Sequence, residues 1–249
     1  MSRTIVVTGG SKGLGATIVR AFYAAGDHVV ILSRNDSGLA QTLGERAKFI
    51  SVDISQPTQI KKGFEEISKW TGRMDVLINN AGYSAWKPLE KIDEDFWDTM
   101  IATNLKGVLF ASQAAAALMN NGSSIINISS LAGKRGSANN AVYCASKFGV
   151  NGITQSLAKE LGPRGIRVNA VCPVYLRTAG LEEALTGSDS PAKGTDLSLF
   201  LNDFAKTQTA LGILPTEQQV ADTCVFLASK EAGAITGQCI NVDCGVLPQ

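Results

Sequence analysis

The sequence predicts an α/β protein: a single doubly wound parallel sheet of about seven strands with helices on both faces. Short β-branched runs alternate with amphipathic stretches along the chain, the pattern of repeated βαβ units. These runs are apolar almost throughout, as strands covered on both faces are. No Pro/Ser-rich linker or shift in composition divides the 249 residues, so one domain is expected over 1–249. An apolar content of 45% is enough for a core of that size.

The elements follow in order. TIVVT at 4–8 opens the sheet, and a helix is expected from about Leu14 to Ala25. HVVILS at 28–33, KFISV at 48–52, DVLINN at 75–80, SIINIS at 124–129 and IRVNAV at 166–171 read as further strands. Parallel sheets bind ligands beyond the carboxyl ends of their strands, where strand order reverses. The loops that follow the strands therefore hold the candidate chemistry.

Composition removes several function classes. With 23 basic and 22 acidic residues the formal net charge is +1, so no general attraction to nucleic acid or anionic membrane is expected. Ser2 and Arg3 run straight into the first strand, which leaves no room for a secretory leader. The longest apolar stretch, 108–119, is interrupted by Ser112 and Gln113 and is too short for a bilayer. A cytoplasmic protein is the expectation. Cys144, Cys172, Cys224, Cys239 and Cys244 are odd in number without C-x-x-C spacing, which argues against a disulfide framework and against a zinc site. His28 is the only histidine and stands at the start of a strand, so a histidine-based triad has little to draw on.

TGGSKGLG follows the first strand and places Gly9, Gly13 and Gly15 at the turn into a helix. Glycines admit a pyrophosphate close to the backbone, and the helix start offers free N–H groups to its charge. At the end of the second strand, in ILSRND, Ser33 stands where an acidic residue would bond both ribose hydroxyls. Arg34 follows it and Lys12 lies in the glycine turn, a pairing that suits the 2′-phosphate of NADP. The competing reading makes both solvated loop charges, with Asp36 close enough to oppose them.

AVYCASKFGV at 141–150 sets Tyr143 and Lys147 four residues apart, on one helix face. An ammonium beside a phenol would pull it down from its reference pKa of ~10 and make Tyr143 a general acid or base. A Tyr and a Lys that merely line a helix surface have the same spacing. Ala145, Gly149, Gly152 and Ser156 form a stripe of small residues on the same helix, open either to a second subunit or to the chain's own body. INISS at 126–130 ends a strand with Ser129 and Ser130, so a hydroxyl could meet Tyr143 at the carboxyl edge. NNAG at 79–82 and TNLKG at 103–107 bring amides to that edge.

With these motifs in place the chain resembles the short-chain dehydrogenase/reductase family from residue 3 almost to its C-terminus. The motifs occur in the family's order: TGGSKGLG, DIS at Asp53, NNAG, Asn104, Ser130 thirteen residues before Tyr143, YCASK, a Pro173 segment and ITGQCINVD. The resemblance implies a Rossmann-type domain, usually a homodimer or homotetramer. It implies that Ser130 polarises a substrate carbonyl, Tyr143 delivers the proton, Lys147 holds the nicotinamide ribose and lowers the Tyr143 pKa, and Asn104 anchors a relay water. Cofactor contacts are implied for Gly9, Ser11, Lys12, Gly13, Leu14, Gly15, Ser33, Arg34, Asp53, Ile54, Asn80, Ala81, Gly82, Tyr143, Lys147, Pro173, Leu176 and Thr178. Two departures stand out: Pro173-Val174 where the family has Pro-Gly, and VDCG at Cys244 where VDGG is usual. The first bears on pocket shape, since only a positive φ would demand glycine there.

The segment 178–215 carries Gly, Ser and Pro punctuation and a short helix near Leu197 to Leu211, which suggests a lid. Leu181, Leu185, Leu199 and Phe200 would cover an apolar substrate or staple the lid to the body. Trp86, Val174 and Ser130 are the candidate substrate contacts, and Lys134-Arg135 stand near the pocket mouth or in solvent. The expected activity is NADPH-dependent reduction of a small-molecule or carrier-bound ketone, of the 3-oxoacyl or polyketide thioester type. The alternatives are a secondary-alcohol or sugar dehydrogenase working oxidatively, and an idle NADP-binding sensor. The presence of Ser130, Tyr143 and Lys147 argues against the last.

Overall fold

A computed structural model describes residues 2–248, so Met1 and Gln249 of the expected domain lie outside the described residues. In chain order the elements are β1 (Thr4–Thr8), α1 (Gly13–Ala24), β2 (His28–Ser33), α2 (Leu39–Leu43), β3 (Ala47–Ser51), α3 (Pro57–Thr71) and β4 (Met74–Asn79). Then come α4 (Glu94–Ile101), a π-helical turn (Ala102–Lys106), α5 (Gly107–Ala116), β5 (Met119–Ile128) and α6 (Ala141–Leu161). The chain closes with β6 (Arg167–Pro173), α7 (Ala179–Leu185), α8 (Leu197–Gln208), α9 (Glu217–Leu227) and β7 (Cys239–Val242).

The strands form one sheet in the order β3-β2-β1-β4-β5-β6-β7, and every pairing is parallel. The chain works outwards from β1 to β3, then crosses back to lay β4 against the other side of β1. Strand order therefore reverses between β1 and β4, and a crevice opens at their carboxyl ends. β7 came to the expectation only through the resemblance; its four residues are half-buried and weakly patterned.

Along β1 the side chains alternate between two cores. Ile5 and Val7 join Ile18, Phe22, Val220 and Leu227 beneath α1 and α9. Val6 joins Phe64, Ile67, Ala111 and Ala158 beneath α3, α5 and α6. That is why the strand sequences are apolar on both faces, as Ile5, Val6 and Val7 show in β1. α3 starts with Pro57 in its first turn and stops at Gly72, whose φ of 70° is left-handed. α9 is closed by a capping box between Thr216 and Gln219.

A polar chain runs through the second core. Asn79 Nδ2 donates to Ser112 Oγ at 3.0 Å and to Asn127 Oδ1 at 2.8 Å, and Asn127 Nδ2 donates to Thr154 Oγ1 at 2.9 Å. It links α5, β4, β5 and α6 and gives α6 one seating on the sheet, because a shifted helix would strand buried polar atoms.

The stripe on α6 resolves by position. A Cβ on Gly149 would sit 2.7 Å from a methyl carbon of Leu105 in the π-helical turn, so this glycine serves a contact within the chain. Ala145, Gly152 and Ser156 face outwards.

Segment 178–215 holds two helices rather than the one expected. Thr178 caps α7 by accepting from Leu181 N, and Asp196 caps α8 by accepting from Leu199 N. α8 ends at Gln208, three residues short of the expected boundary; Leu211 is exposed and offers no packing to extend the helix. Leu185 and Leu201 are buried with Trp86, Tyr175, Leu181, Phe200 and Leu214 packed around them, whereas Leu199 points outwards. Asp189 pairs with Lys91 at 3.0 Å, and its carbonyl accepts from Asn139 Nδ2 at 3.2 Å, which ties the segment to the body.

The two departures from the family pattern differ in backbone terms. Val174 is not among the positive-φ residues, so the turn after β6 tolerates a side chain there. Cys244 has φ 55°, where an L side chain crowds the backbone. Cys244→Gly is expected to raise the unfolding free energy by about 0.5–1 kcal/mol after allowing for the freer unfolded chain. A higher urea midpoint with unchanged slope is the readout.

Candidate active site

The carboxyl ends of β1, β4, β5 and β6 deliver the predicted residues to one crevice. After β1 the glycine turn is tight: Gly9 and Gly13 have φ of 66° and 52°. A Cβ on Gly15 would stand 2.2 Å from the Gly9 carbonyl oxygen, so only glycine fits there. Lys12 occupies the cap position of α1 with no side-chain cap, and the first turn holds no acidic residue. The N–H groups of Gly13, Leu14 and Gly15 thus begin a helix that no side chain caps, while the Glu217 carboxylate stands to one side, its Oε1 3.7 Å from a Cβ built on Gly13 and its Oε2 accepting from Thr17 Oγ1 at 2.7 Å. This fits the residues of the turn to the pyrophosphate of a dinucleotide.

The NNAG segment leans on that turn. Thr8 Oγ1 accepts from both Asn80 N and Ala81 N at 3.0 Å, and Asn80 Nδ2 donates to the carbonyls of Thr8 at 3.0 Å and Gly9 at 3.2 Å. The Asn80 amide is therefore engaged in holding two loops together, with Ala81 and Gly82 left beside the crevice. Thr8, absent from the expected site, is the residue that couples them; a Thr at the end of an apolar strand carries no signal of its own. Ser11 Oγ donates to Asn35 O at 2.9 Å, which links the glycine turn to the loop after β2.

In that loop Ser33 is half-buried and Arg34 is exposed. Asp36 Oδ1 accepts from Gly38 N at 2.8 Å, which commits this carboxylate to its own turn. Neither Lys12 nor Arg34 belongs to any of the four ion pairs of the described residues. Asp53 Oδ1 accepts from Ser55 N at 2.9 Å and Ser55 Oγ at 2.8 Å, while the Ile54 side chain lies in the core.

The π-helical turn swings Asn104 fully into the interior, a geometry frequent at functional sites. Its Oδ1 accepts from Tyr83 N at 3.1 Å, and its Nδ2 donates to Tyr83 O at 2.8 Å. A Cβ on Gly82 would lie 3.1 Å from Asn104 Oδ1 and 3.7 Å from Lys147 Nζ, so the three residues converge.

Of the two serines ending β5, Ser130 is the one whose hydroxyl acts on the Tyr143 phenol. Ser130 Oγ also accepts from Ala132 N at 3.1 Å, whereas Ser129 Oγ turns away to donate to Lys147 O at 3.3 Å. Lys147 Nζ donates to Ile128 O at 2.9 Å and lies 5.8 Å from the centre of the Tyr143 ring. The spacing of four residues does bring the pair together. Its electrostatics correct the expectation. Burial pushes the Tyr143 phenol up to about 12, with the Ser130 hydrogen bond acting against it. Burial also drives the Lys147 ammonium down to about 8. Each group loses hydration in the same dry pocket, and this outweighs the pull of the ammonium on the phenol.

Past β6, Pro173 and Val174 lead to Leu176, which is buried, and to Thr178, whose Cβ lies 4.0 Å from a Cβ built on Gly13. Thr178 Oγ1 accepts from Leu181 N at 3.1 Å and keeps its own proton to donate. Tyr175 was not foreseen: it meets Phe204 edge to face at 4.8 Å and packs against the lid cluster. Trp86 packs into the same cluster. The described residues hold no cluster of three or more His, Cys, Asp or Glu that could hold a metal, and no helix long and apolar enough to cross a membrane.

A doubly wound parallel sheet with an uncapped glycine turn at its reversal point and a Ser-Tyr-Lys group beside it defines an NAD(P)-dependent oxidoreductase. Residues 9–247 match the family model described as enoyl-(acyl carrier protein) reductase. The chain is 34% identical over 255 residues to the 3-oxoacyl-[acyl-carrier-protein] reductase of Staphylococcus aureus, covering 99% of this chain and 98% of that one. Among solved structures, a variant of actinorhodin polyketide ketoreductase with NADPH superposes with TM-score 0.91 at 29% identity, over 98% of this chain and 97% of the other. The aldohexose dehydrogenase of Thermoplasma acidophilum gives 0.88 at 31%, over 100% and 98%. The chain belongs to the short-chain dehydrogenase/reductase family.

Lys147 carries a stability cost that can be measured. Its folded pKa of about 8 lies below the ordinary 10.5, so between these values the unfolded chain holds a proton that the folded chain has released. Stability therefore rises with pH across that window, and the cost is fully present below it. Lys147→Met is expected to stabilise the fold at pH 7 by about 2 kcal/mol, net of the lost bond to Ile128 O. Chemical denaturation should show this gain shrinking towards pH 10.5, while catalytic turnover is lost.

Proposed function

We propose that the protein is an NADPH-dependent reductase that converts a ketone to a secondary alcohol, acting on a 3-oxoacyl or polyketide-type thioester. One observation carries the reading. Tyr143 is a half-buried, neutral phenol beside the Ser130 hydroxyl, with the Lys147 ammonium 5.8 Å from its ring. A phenol pushed up to about 12 is protonated at neutral pH, which is the state a proton donor needs.

The nicotinamide group, when bound, supplies the hydride. The chain's residues do the rest. Ser130 and Tyr143 donate to the substrate carbonyl oxygen and polarise it. As negative charge develops there, the Tyr143 proton passes to it and leaves an alcohol. The phenolate formed is held by the Ser130 hydroxyl and by Lys147, and it regains a proton through the polar groups around Asn104. Gly9, Gly13, Leu14 and Gly15 bind the pyrophosphate; Asp53, Ala81 and Gly82 border the adenine side, and Leu176 and Thr178 the nicotinamide. Lys12, Ser33 and Arg34 receive the 2′-phosphate.

The likeness to an aldohexose dehydrogenase supports a second reading, alcohol oxidation. That direction asks Tyr143 to act as a base, and its burial opposes the phenolate. The lid cluster of Trp86, Tyr175, Leu181 and Phe200 also suits an acyl chain better than a polyhydroxylated sugar. The chain associates with copies of itself, a reading supported by exposed Trp97, Leu109 and Phe148 near the small outward face of α6.

Tyr143→Phe is expected to keep NADPH affinity but lose ketone reduction by a factor on the order of 10² to 10⁴. NADPH oxidation against β-ketoacyl thioesters, polyketide mimics and keto-sugars measures both the loss and the substrate class; full turnover in the variant would refute the mechanism. Arg34→Ala is expected to weaken NADPH binding about tenfold while leaving NADH nearly unchanged. Equal effects in a fluorescence titration would overturn the cofactor preference.

A further inference from the structure

Glu217 is the first residue of α9, a helix whose start is already closed by the capping box of Thr216 and Gln219. Its side chain reaches across to α1 instead. Oε1 stands 3.7 Å from a Cβ built on Gly13, and Oε2 accepts from Thr17 Oγ1 at 2.7 Å. Thr17 lies one turn along α1, and its hydroxyl is also 3.4 Å from the Gly13 carbonyl oxygen. Ile18 of α1 and Val220, Ala221 and Cys224 of α9 share the first core, so the packing of the two helices fixes where the carboxylate stands. Arg177 and Lys206 line a cavity of about 570 Å³ on the same side, and Arg177 Nη2 donates to Asn202 Oδ1 at 2.7 Å. None of the ion pairs of the described residues includes Glu217.

We propose that Glu217 limits the affinity of the chain for its dinucleotide and that Thr17 is the positioning residue that holds the carboxylate in place, a role that rests on the pyrophosphate reading of the glycine turn and is independent of the substrate. The start of α1 attracts anions through its free N–H groups. A carboxylate beside it takes up part of that favourable potential and repels the phosphates of a bound ligand. The hydrogen bond from Thr17 fixes the carboxylate and leaves it its charge, so the repulsion persists. Cofactor release belongs to every turnover, and a contact that weakens the bound state away from the reacting group speeds release.

A purely structural role has the opposite sign. An acid that served only the first turn of α9, or only tied α9 to α1, would on removal loosen the glycine turn and weaken binding.

The test titrates the purified full chain with NADPH and with NADH by fluorescence at low ionic strength. Glu217→Gln keeps an oxygen to accept from Thr17 and should bind both dinucleotides about tenfold tighter, because they share the pyrophosphate. In ~1 M salt, where the Debye length is about 3 Å, the gain should shrink to about twofold or less. Thr17→Val should show part of the gain, and Thr17→Ser should bind like the parent. Unchanged or weaker binding by Glu217→Gln, in a variant whose circular dichroism matches a parent that binds NADPH, would overturn the proposal and leave the pyrophosphate site standing. A gain confined to NADPH, or one indifferent to salt, would overturn it as well, and Thr17→Val binding like the parent would remove the positioning role. A parent that binds neither dinucleotide would overturn the site and the proposal together.

Discussion

Everything at the site depends on the parallel pairing of β1 with β4. Parallel strands need crossovers, and the crossovers put every strand's carboxyl end on one edge of the sheet. Where the chain returns from β3 to lay β4 beside β1, two loops of separate origin meet. Thr8 Oγ1 accepts two N–H groups from the NNAG segment, and Asn80 returns two bonds to the glycine turn. This stitching shapes the crevice from within the protein. Much of the polar chemistry that a motif reading assigns to a ligand serves first to hold one loop against another.

A similar economy governs α6. Tyr143 and Lys147 project from α6 into a pocket dry enough to raise the phenol and depress the ammonium. The Lys147 shift is a cost of folding at neutral pH, because the ammonium is dehydrated there, whereas the Tyr143 shift costs stability only above the ordinary phenol pKa, where the unfolded chain would ionise. The fold sustains them because α6 is anchored independently, by the polar chain from Ser112 to Thr154 and by Gly149 packed on Leu105. In the proposed reaction the difference is useful: a neutral donor beside a cation would give up its proton and have the resulting charge met at once.

Legibility varied from residue to residue. The β-branched runs and the glycine turn were readable because strand burial and backbone approach restrict residue type at each position. The Tyr-Lys pair was readable as a shared face, because helical periodicity sets it. Its electrostatics were not, because desolvation depends on what the rest of the chain places around the pocket. Asp36 illustrates the same limit: by charge alone it opposes Arg34, yet its carboxylate is committed to the amide of Gly38. Val174 and Cys244 are both departures from glycine, and only φ separates the tolerated one from the strained one.

The sequence by itself determined the fold class and the order of the strands along the chain, which follow from local periodicity; periodicity also set Tyr143 and Lys147 on one helix face, while their roles were implied only by the family resemblance. The tertiary structure decided which serine acts on Tyr143, where Asn80 and Asn104 direct their amides, how the lid segment folds into two helices, and which three of the five cysteines are buried. These depend on contacts between residues far apart in the chain. Strand pairing, burial and the sharing of hydrogen bonds set them together, and none of these is written in a local pattern.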